Sequence, residues 1–283
     1  MADKVCTIVL NWNGWRDTAA CLSSLSQLLY QNHEVIVVDN GSTDDSVRHL
    51  RNEFPGLTLI ETGKNLGFAA GCNVGIRRAF TDGADFVWLL NNDSAVDAEA
   101  LQALVAKAGS DERMAAVGSA IYYMQEPHKL MAWGGGRVSF LLGRSRHVLA
   151  PVDDAQVDYI TGASLLLRRS ALEAVGMLDE GFFFSWEDAD LGFRLRRAQW
   201  KLAVAGDSKV WHKETASLRG QETVLDTYFN EGASRFFRKH ALVPQLPLYT
   251  GVSLRVMKRL IAGDWKRARA VWAACRFQPE REG

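Results

Sequence analysis

Four short apolar runs separated by stretches of helical period fill the first third of the chain, and this alternation admits few folds. The runs at about 5–11, 34–39, 57–61 and 85–91 have strand length and are bounded by turn residues. Between them, Ala19, Leu22, Leu25 and Leu29 recur at spacings of three and four, as one face of a helix does. Ser42 or Thr43 before Asp44 and Asp45 reads as a capped helix start with an acidic first turn. A third helix is expected from the loop at Gly67 to about Phe80. Strand, helix and strand in this repetition predict an α/β fold with a Rossmann-like, mostly parallel central sheet flanked by helices.

The later chain is less regular. A helix is predicted over 97–108, and Gly134-Gly135-Gly136 breaks the pattern, leaving 137–148 as a hairpin or a mobile loop. A buried strand is expected over 159–167, helices over 170–175 and 187–198, and one or two strands over 201–211. Helical patterns at 222–240, 249–262 and 264–276 close the sequence. With 283 residues and 47% hydrophobic content, the chain can bury one large core but is short for two independent ones. One main domain over 1–220 and a helical extension over 221–283 are expected.

Composition removes several function classes. The 33 basic and 33 acidic residues cancel, so no global field gathers nucleic acid. Cys6, Cys21, Cys72 and Cys275 are widely spaced with no C-x-x-C pair, and the first strand begins at about Val5, leaving no room for a leader. A reduced, cytoplasmic protein follows as the expectation. No run of about 18 apolar residues is present to cross a membrane.

The polar residues collect where the strands end. Asn11 and Asn13 follow the first strand, Asp39 ends the second, and Asn91-Asn92-Asp93 ends the fourth. Ligands of open parallel sheets sit beyond these carboxyl ends. Asp39 there can accept from a ribose hydroxyl or a base N–H, or can form an Asx-turn with Asn40. Asp93 can hold Mg²⁺ or Mn²⁺ against a diphosphate, or can cap the following helix. The loop from Gly63 to Asn73 is rich in small residues but is neither G-x-G-x-x-G nor a Walker loop.

Taken in order, Val9-Leu10-Asn11-Trp12-Asn13, Val37-Val38-Asp39-Asn40-Gly41-Ser42-Thr43-Asp44, Asn65-Leu66-Gly67-Phe68-Ala69-Ala70-Gly71-Cys72-Asn73, Leu90-Asn91-Asn92-Asp93 and Phe184-Ser185-Trp186-Glu187-Asp188-Ala189-Asp190 resemble the motifs of family 2 glycosyltransferases. The likeness covers about residues 5–212 and is strongest to bacterial rhamnosyltransferase-like members with the GT-A fold. It implies a nucleotide-sugar-binding half over about 1–95 and an acceptor side over about 96–220. It implies that Asn11, Asn13 and Asp39 hold the nucleoside and that Asn65, Gly67, Asn73, Asn92 and Asp93 line the donor pocket. Asp93 would ligate a divalent cation, Mn²⁺ or Mg²⁺, with His212 completing the site. The chain departs from the family pattern in carrying Asn91 where a carboxylate often stands.

Within Trp186-Glu187-Asp188-Ala189-Asp190, acidic residues in a first helical turn also complement the helix dipole. Spacing places Glu187, Asp190 and Arg194 on one charge-paired stripe. Asp188 is followed on its own side by Leu191 and Leu195, so its carboxylate sits near the core edge, where desolvation raises a pKa and improves a base. The resemblance agrees that Asp188 is the general base, with Glu187 as its competitor. Trp186, among Phe182, Phe183 and Phe184, is expected to stack on the acceptor, as Trp133 can; buried core is the other reading of the phenylalanines.

The implied reaction is inverting transfer from a nucleoside diphosphate sugar, dTDP-rhamnose or a UDP-hexose, to a glycan or lipid-linked glycan in cell-surface polysaccharide synthesis. Arg255, Lys258, Arg259, Lys266, Arg267, Arg269, Arg276 and Arg281 interleave with Leu254, Leu260, Trp265 and Trp272 near the C-terminus. This pattern fits peripheral contact with the inner face of the cell membrane, or packing on the main domain or a second subunit as a homodimer. The competing functions are a non-catalytic nucleotide-sugar-binding protein and, lower, a sugar nucleotidyltransferase.

Overall fold

The computed structural model describes residues 2–213 and 222–274. The expected boundary near 220 and the basic residues Arg276 and Arg281, with Cys275, lie outside them. In chain order the elements are β1 (Val5–Asn11), α1 (Trp15–Leu25), β2 (His33–Asp39), α2 (Ser46–Glu53), β3 (Thr58–Glu61), α3 (Phe68–Thr81), β4 (Phe86–Asn91), β5 (Ser94–Val96), α4 (Ala100–Gly109), β6 (Met114–Tyr123), β7 (Leu130–Trp133), β8 (Gly135–Ser139), β9 (Arg144–His147), β10 (Tyr159–Ile160), β11 (Ser164–Arg168), α5 (Arg169–Val175), α6 (Glu187–Arg197), β12 (Lys201–His212), α7 (Glu222–His240), α8 (Gln245–Ile261) and α9 (Trp265–Ala274).

The main sheet runs β3-β2-β1-β4-β11-β6-β12-β5, with β7 paired to β6. β1, β2, β3 and β4 are mutually parallel, and β6 and β12 are parallel to each other. β11 runs against both β4 and β6, with Ser164 opposite Leu90. Because of that reversal, the chain entering β11 arrives at the edge where β4 ends. The expected fold is therefore found, with β5, β7 and β11 antiparallel to their neighbours and β11 supplying backbone to the ligand edge.

Side chains alternate between two cores on the faces of the sheet, as period-two geometry requires. Cys6, Ile8, Ile36 and Val38 pack with α3, α5 and α6 residues such as Ile76, Leu172 and Leu191. Val5, Val9, Val37 and Trp88 pack on the other side with Leu22, Leu50, Leu101 and Leu104. Each large side chain buried in this way contributes about 1.5–3 kcal/mol. The small residues of α3 serve this packing: a Cβ on Gly75 would meet Ile8 at 2.6 Å and one on Gly71 would meet Leu10 at 2.7 Å.

Several elements differ from expectation. The expected strand over 159–167 is two strands in two sheets, since β10 joins β8 and β9 while β11 joins the main sheet. The segment 137–148 is the β8–β9 hairpin. Ser42 does not cap α2; the helix starts at Ser46, and Ser42 is bonded to Asp39. β12 is one strand with an irregularity between Ala205 and Lys209. α8 begins at Gln245, ahead of 249, because Pro247 falls in the first turn, where its missing N–H costs nothing.

Candidate active site

At the β1 and β2 ends a closed polar network is built around Asp39. Its Oδ1 accepts from Asn11 Nδ2 at 2.7 Å and from Ser42 Oγ at 2.6 Å, and its Oδ2 accepts from the Ser42 N–H at 3.0 Å. Asn11 is fully buried, and its Oδ1 accepts from Thr18 Oγ1 at 2.8 Å. The amide of Asn11 thus holds Asp39 in place. Asn13, exposed and left-handed at φ 52°, accepts from the Thr43 N–H at 2.8 Å and ties the two strand-end loops together.

The next loop is fastened by Asn40. Its Nδ2 donates to Asn65 Oδ1 and to the Gly67 carbonyl, both at 3.1 Å, and its Oδ1 accepts from the Leu66 N–H at 3.0 Å. Gly67 has φ 84°, and a Cβ there would lie 2.5 Å from the Phe183 carbonyl oxygen, so glycine is required by the backbone and by the contact with the 183 segment. Asn73 is buried and faces the chain around 178–180, donating to the Leu178 carbonyl at 2.8 Å and to Glu180 Oε1 at 3.0 Å. Gly67 and Asn73 thus both tie this loop and α3 to the 178–183 segment.

Beyond β4, Asn92 donates to Thr18 Oγ1 at 3.0 Å and braces the first loop. Asp93 is buried; its Oδ1 lies 3.0 Å from His212 Nε2, and Asn91 Nδ2 lies 2.9 Å from the same nitrogen. β5 produces this meeting by pairing Ser94 with His212. Two ligands about 2.1 Å from one octahedral ion stand about 3 Å apart, so the Asp93–His212 spacing fits a shared hard cation, and the Asn91 amide turned over would add an oxygen. No third His, Cys, Asp or Glu joins them among the described residues.

The start of α6 has the opposite character. Ser185 and Trp186 are both left-handed, at φ 68° and 75°, which costs on the order of 1–3 kcal/mol for each non-glycine residue. The turn delivers Glu187 and Asp188 to the same edge of the sheet. Asp188 Oδ2 accepts from the Gly162 N–H at 3.2 Å and Oδ1 from the Ala189 N–H at 2.7 Å. Ala163, next in the chain, accepts from the Asn91 N–H at 3.1 Å. Asp188 and the Asn91–Asp93 turn are therefore held by neighbouring residues of one short segment.

Both carboxyls titrate above the ordinary range. Burial is the main cause for Glu187, reinforced by the Asp188 charge. Burial also raises Asp188, opposed by the Gly162 and Ala189 N–H groups and by His147. Glu187 Oε2 is buried and meets no partner among the described residues. The expected stripe is only half present: Arg194 pairs with Asp190 at 2.7 Å, but Glu187 turns away from it.

Trp186 does not face an acceptor. It is 3% exposed and packs between Phe229, Phe236 and Phe237 with ring centroids 5.0–5.6 Å away. The left-handed turn swings its ring inward to join α6 to α7. Trp133 is half-buried against Gly206. One residue at this edge had not been singled out: His147 on β9 is solvent-exposed, with the Met131 carbonyl in reach and Asp188 and His212 near enough to act on its charge. Crowding by the surrounding protein lowers its pKa, which Asp188 opposes. It stood in a segment legible only as hairpin or loop, where spacing carries no signal.

With this geometry in place, the comparisons are direct. Residues 6–176 match the family model described as Glycosyl transferase family 2, and the chain belongs to that family. It is similar to an N-acetylglucosaminyl-diphospho-decaprenol L-rhamnosyltransferase of Mycobacterium tuberculosis, 26% identical over 77% of this chain and 78% of the relative. A galactofuranosyltransferase of the same organism is 28% identical over 75% and 71%. Among solved structures, GalNAc-T7 with UDP, GalNAc and Mn²⁺ superposes with a TM-score of 0.64 at 16% identity, over 85% of this chain and 52% of that one, so this chain spans about half of its length. A mannosyltransferase from Pyrobaculum calidifontis in complex with GDP-Man and Mn²⁺ gives 0.61 at 17%, over 97% and 74%. These likenesses establish the GT-A fold.

Proposed function

We propose that this glycosyltransferase moves a sugar, with inversion, from a nucleoside diphosphate sugar to a hydroxyl of a lipid-linked glycan, with Asp188 as general base. The observation that carries the reading is the bridge Asp188–Gly162–Ala163–Asn91, which holds a carboxylate of raised pKa beside the Asp93–His212 pair. Asp39, whose Oδ2 has only the Ser42 N–H as partner among the described residues, reads the nucleoside; Asn11, Asn13, Asn65 and Asn92 hold the loops around it. Asp93 and His212, with Asn91, hold a divalent cation, for which the Mn²⁺ in the two structural neighbours is support. That ion supplies positive charge against the diphosphate that leaves.

Asp188 takes the proton of the acceptor hydroxyl as its oxygen attacks the anomeric carbon from the side opposite the leaving group, which inverts the centre. The Gly162 and Ala189 N–H groups fix the carboxylate, so orientation and basicity are set together. Burial and the Asp188 charge raise the Glu187 pKa, which favours its neutral form beside Asp188. The rhamnosyl and galactofuranosyl relatives favour dTDP-rhamnose first and UDP-hexoses next as donors, and a polyprenyl diphosphate glycan as acceptor.

The test is donor turnover. Nucleoside diphosphate release from a panel of sugar nucleotides, with Mn²⁺ and a lipid-linked disaccharide, is expected for one donor and to fall about a thousandfold in Asp93→Ala. Binding of a nucleotide sugar with no transfer to any acceptor would favour the non-catalytic alternative.

A further inference from the structure

α8 is apolar on both sides: Leu248 and Val252 are buried against the main domain, and a second apolar row faces out. Its inward face also carries Arg255 and Arg259: Arg255 donates to Asn230 Oδ1 at 2.7 Å and to the Gly143 carbonyl at 2.8 Å, and Arg259 to Asp226 Oδ1 at 2.8 Å. Its outward face carries Leu246, Tyr249, Leu254, Met257, Leu260 and Ile261, with Tyr249 63% and Ile261 82% exposed. At 100° per residue these six fall on one arc along the whole helix. An apolar arc of this length on a helix already docked by its other face calls for an occupant.

The neighbourhood indicates which one. Thr250 donates to the Leu141 carbonyl at 2.8 Å, so the exposed Leu141 at the β8–β9 turn extends the apolar arc. Toward the other end, Val256, Leu260, Trp265, Ala268, Arg269 and Trp272 line an open groove of about 480 Å³ between α8 and α9. From Gln245 to Ala274 the only acidic residue is Asp264, which faces Arg267, while Lys258, Lys266 and Arg269 are exposed beside the apolar surface. Apolar anchors, exposed tryptophans and unopposed cations form the pattern of a helix lying in an anionic lipid interface. A second copy would set these cations against their own kind.

We propose that the outward face of α8, with the α8–α9 groove, docks on an anionic lipid surface, the groove taking an acyl chain beneath a headgroup held by Arg269. This stands on the C-terminal helices alone and does not depend on the donor-site reading. It sets the β8–β9 hairpin, which carries His147, against the bilayer, so an acceptor anchored in lipid is presented to the sheet edge from that side.

Flotation of the full chain with phosphatidylcholine vesicles, with and without phosphatidylglycerol, tests it. Binding is expected to require the anionic lipid and to weaken with salt. Lys258→Ser/Lys266→Ser/Arg269→Ser should lower partitioning about a hundredfold, at about fivefold per cation. Leu254→Ser/Met257→Ser/Ile261→Ser should abolish it with an unchanged melting curve, since these side chains support no core. Nucleotide binding should be equal in all three proteins. Failure of the wild type to float, equal flotation of the variants, or a dimer that dissociates when the apolar face is changed would overturn the proposal.

Discussion

The ends of β1 and β2 and the start of α6 meet at one edge of the sheet yet are built in opposite ways. At the first, Asn11, Asp39 and Ser42 answer one another through short hydrogen bonds, Asn40 holds the 65–67 loop, and Asp39 is fixed from two sides. At the second, Glu187 Oε2 and Trp186 Nε1 are buried without partners among the described residues, two successive residues are left-handed, and both carboxyls are pushed toward protonation. The first is a preformed surface suited to recognition. The second concentrates strain and perturbed titration, as sites of proton transfer do.

The contrast can be broken most severely at the anchor behind α6. Asp190 is completely buried and binds Arg194, Lys239 and His240, joining α6 to α7. Asp190→Ala removes the buried anchor shared by Arg194, Lys239 and His240, of which Lys239 keeps Asp179, and should cost about 3–5 kcal/mol in urea unfolding. Burial alone would raise the Asp190 pKa, but His240, Arg194 and Lys239 overcome it and bring it down to about 2. The stability it contributes is present above the ordinary carboxylate pKa and is lost as pH falls through about 2. Melting curves between pH 5 and 2 should be flatter in the variant.

Breaking the recognition end comes next. Asp39→Ala strands the buried Asn11 amide and the Ser42 N–H, so a loss of about 2–3 kcal/mol in stability, together with loss of nucleotide binding in calorimetry, is expected. A smaller effect sharpens the proton-transfer end: His147→Ala should lower kcat about tenfold and leave nucleotide affinity unchanged. Smallest is Glu187→Gln. Since the folded pKa of Glu187 is raised, its ionisation penalty grows as pH rises above the ordinary carboxylate range, and the neutral variant should match or exceed the wild type by about 1 kcal/mol in melting at pH 8 while keeping its activity.

The strands and helices of the first half were legible because β1, β2 and β4 carry apolar runs buried on both faces, with β3 a short edge strand beside them. β6 was not, although it lies at the centre of the sheet. Its Met-Ala-Ala-Val-Gly-Ser-Ala stretch lacks bulky branched residues because Gly118 abuts Ile160 and Gly134, where a Cβ would come within 2.6–2.7 Å of other atoms. Asp188 was readable from its place before Leu191 and Leu195 and from the motif around it. Trp186 was misread because only the left-handed turn, invisible in residue spacing, directs its ring into the core. The long-range contacts of Gly67 and Asn73 with the 178–183 segment are likewise invisible in residue spacing.

The separation of recognition from proton transfer is tested most directly by Asp188→Asn, measured in parallel by calorimetric binding of the donor nucleotide with Mn²⁺ and by single-turnover transfer. Replacement of one carboxylate oxygen by an amide nitrogen keeps the size of the side chain and one of its two N–H contacts. Binding within twofold of wild type with transfer reduced by about a thousandfold or more is the predicted result. Near-normal transfer would remove Asp188 from the base role, and a parallel collapse of nucleotide binding would show that the two ends of the site are one unit.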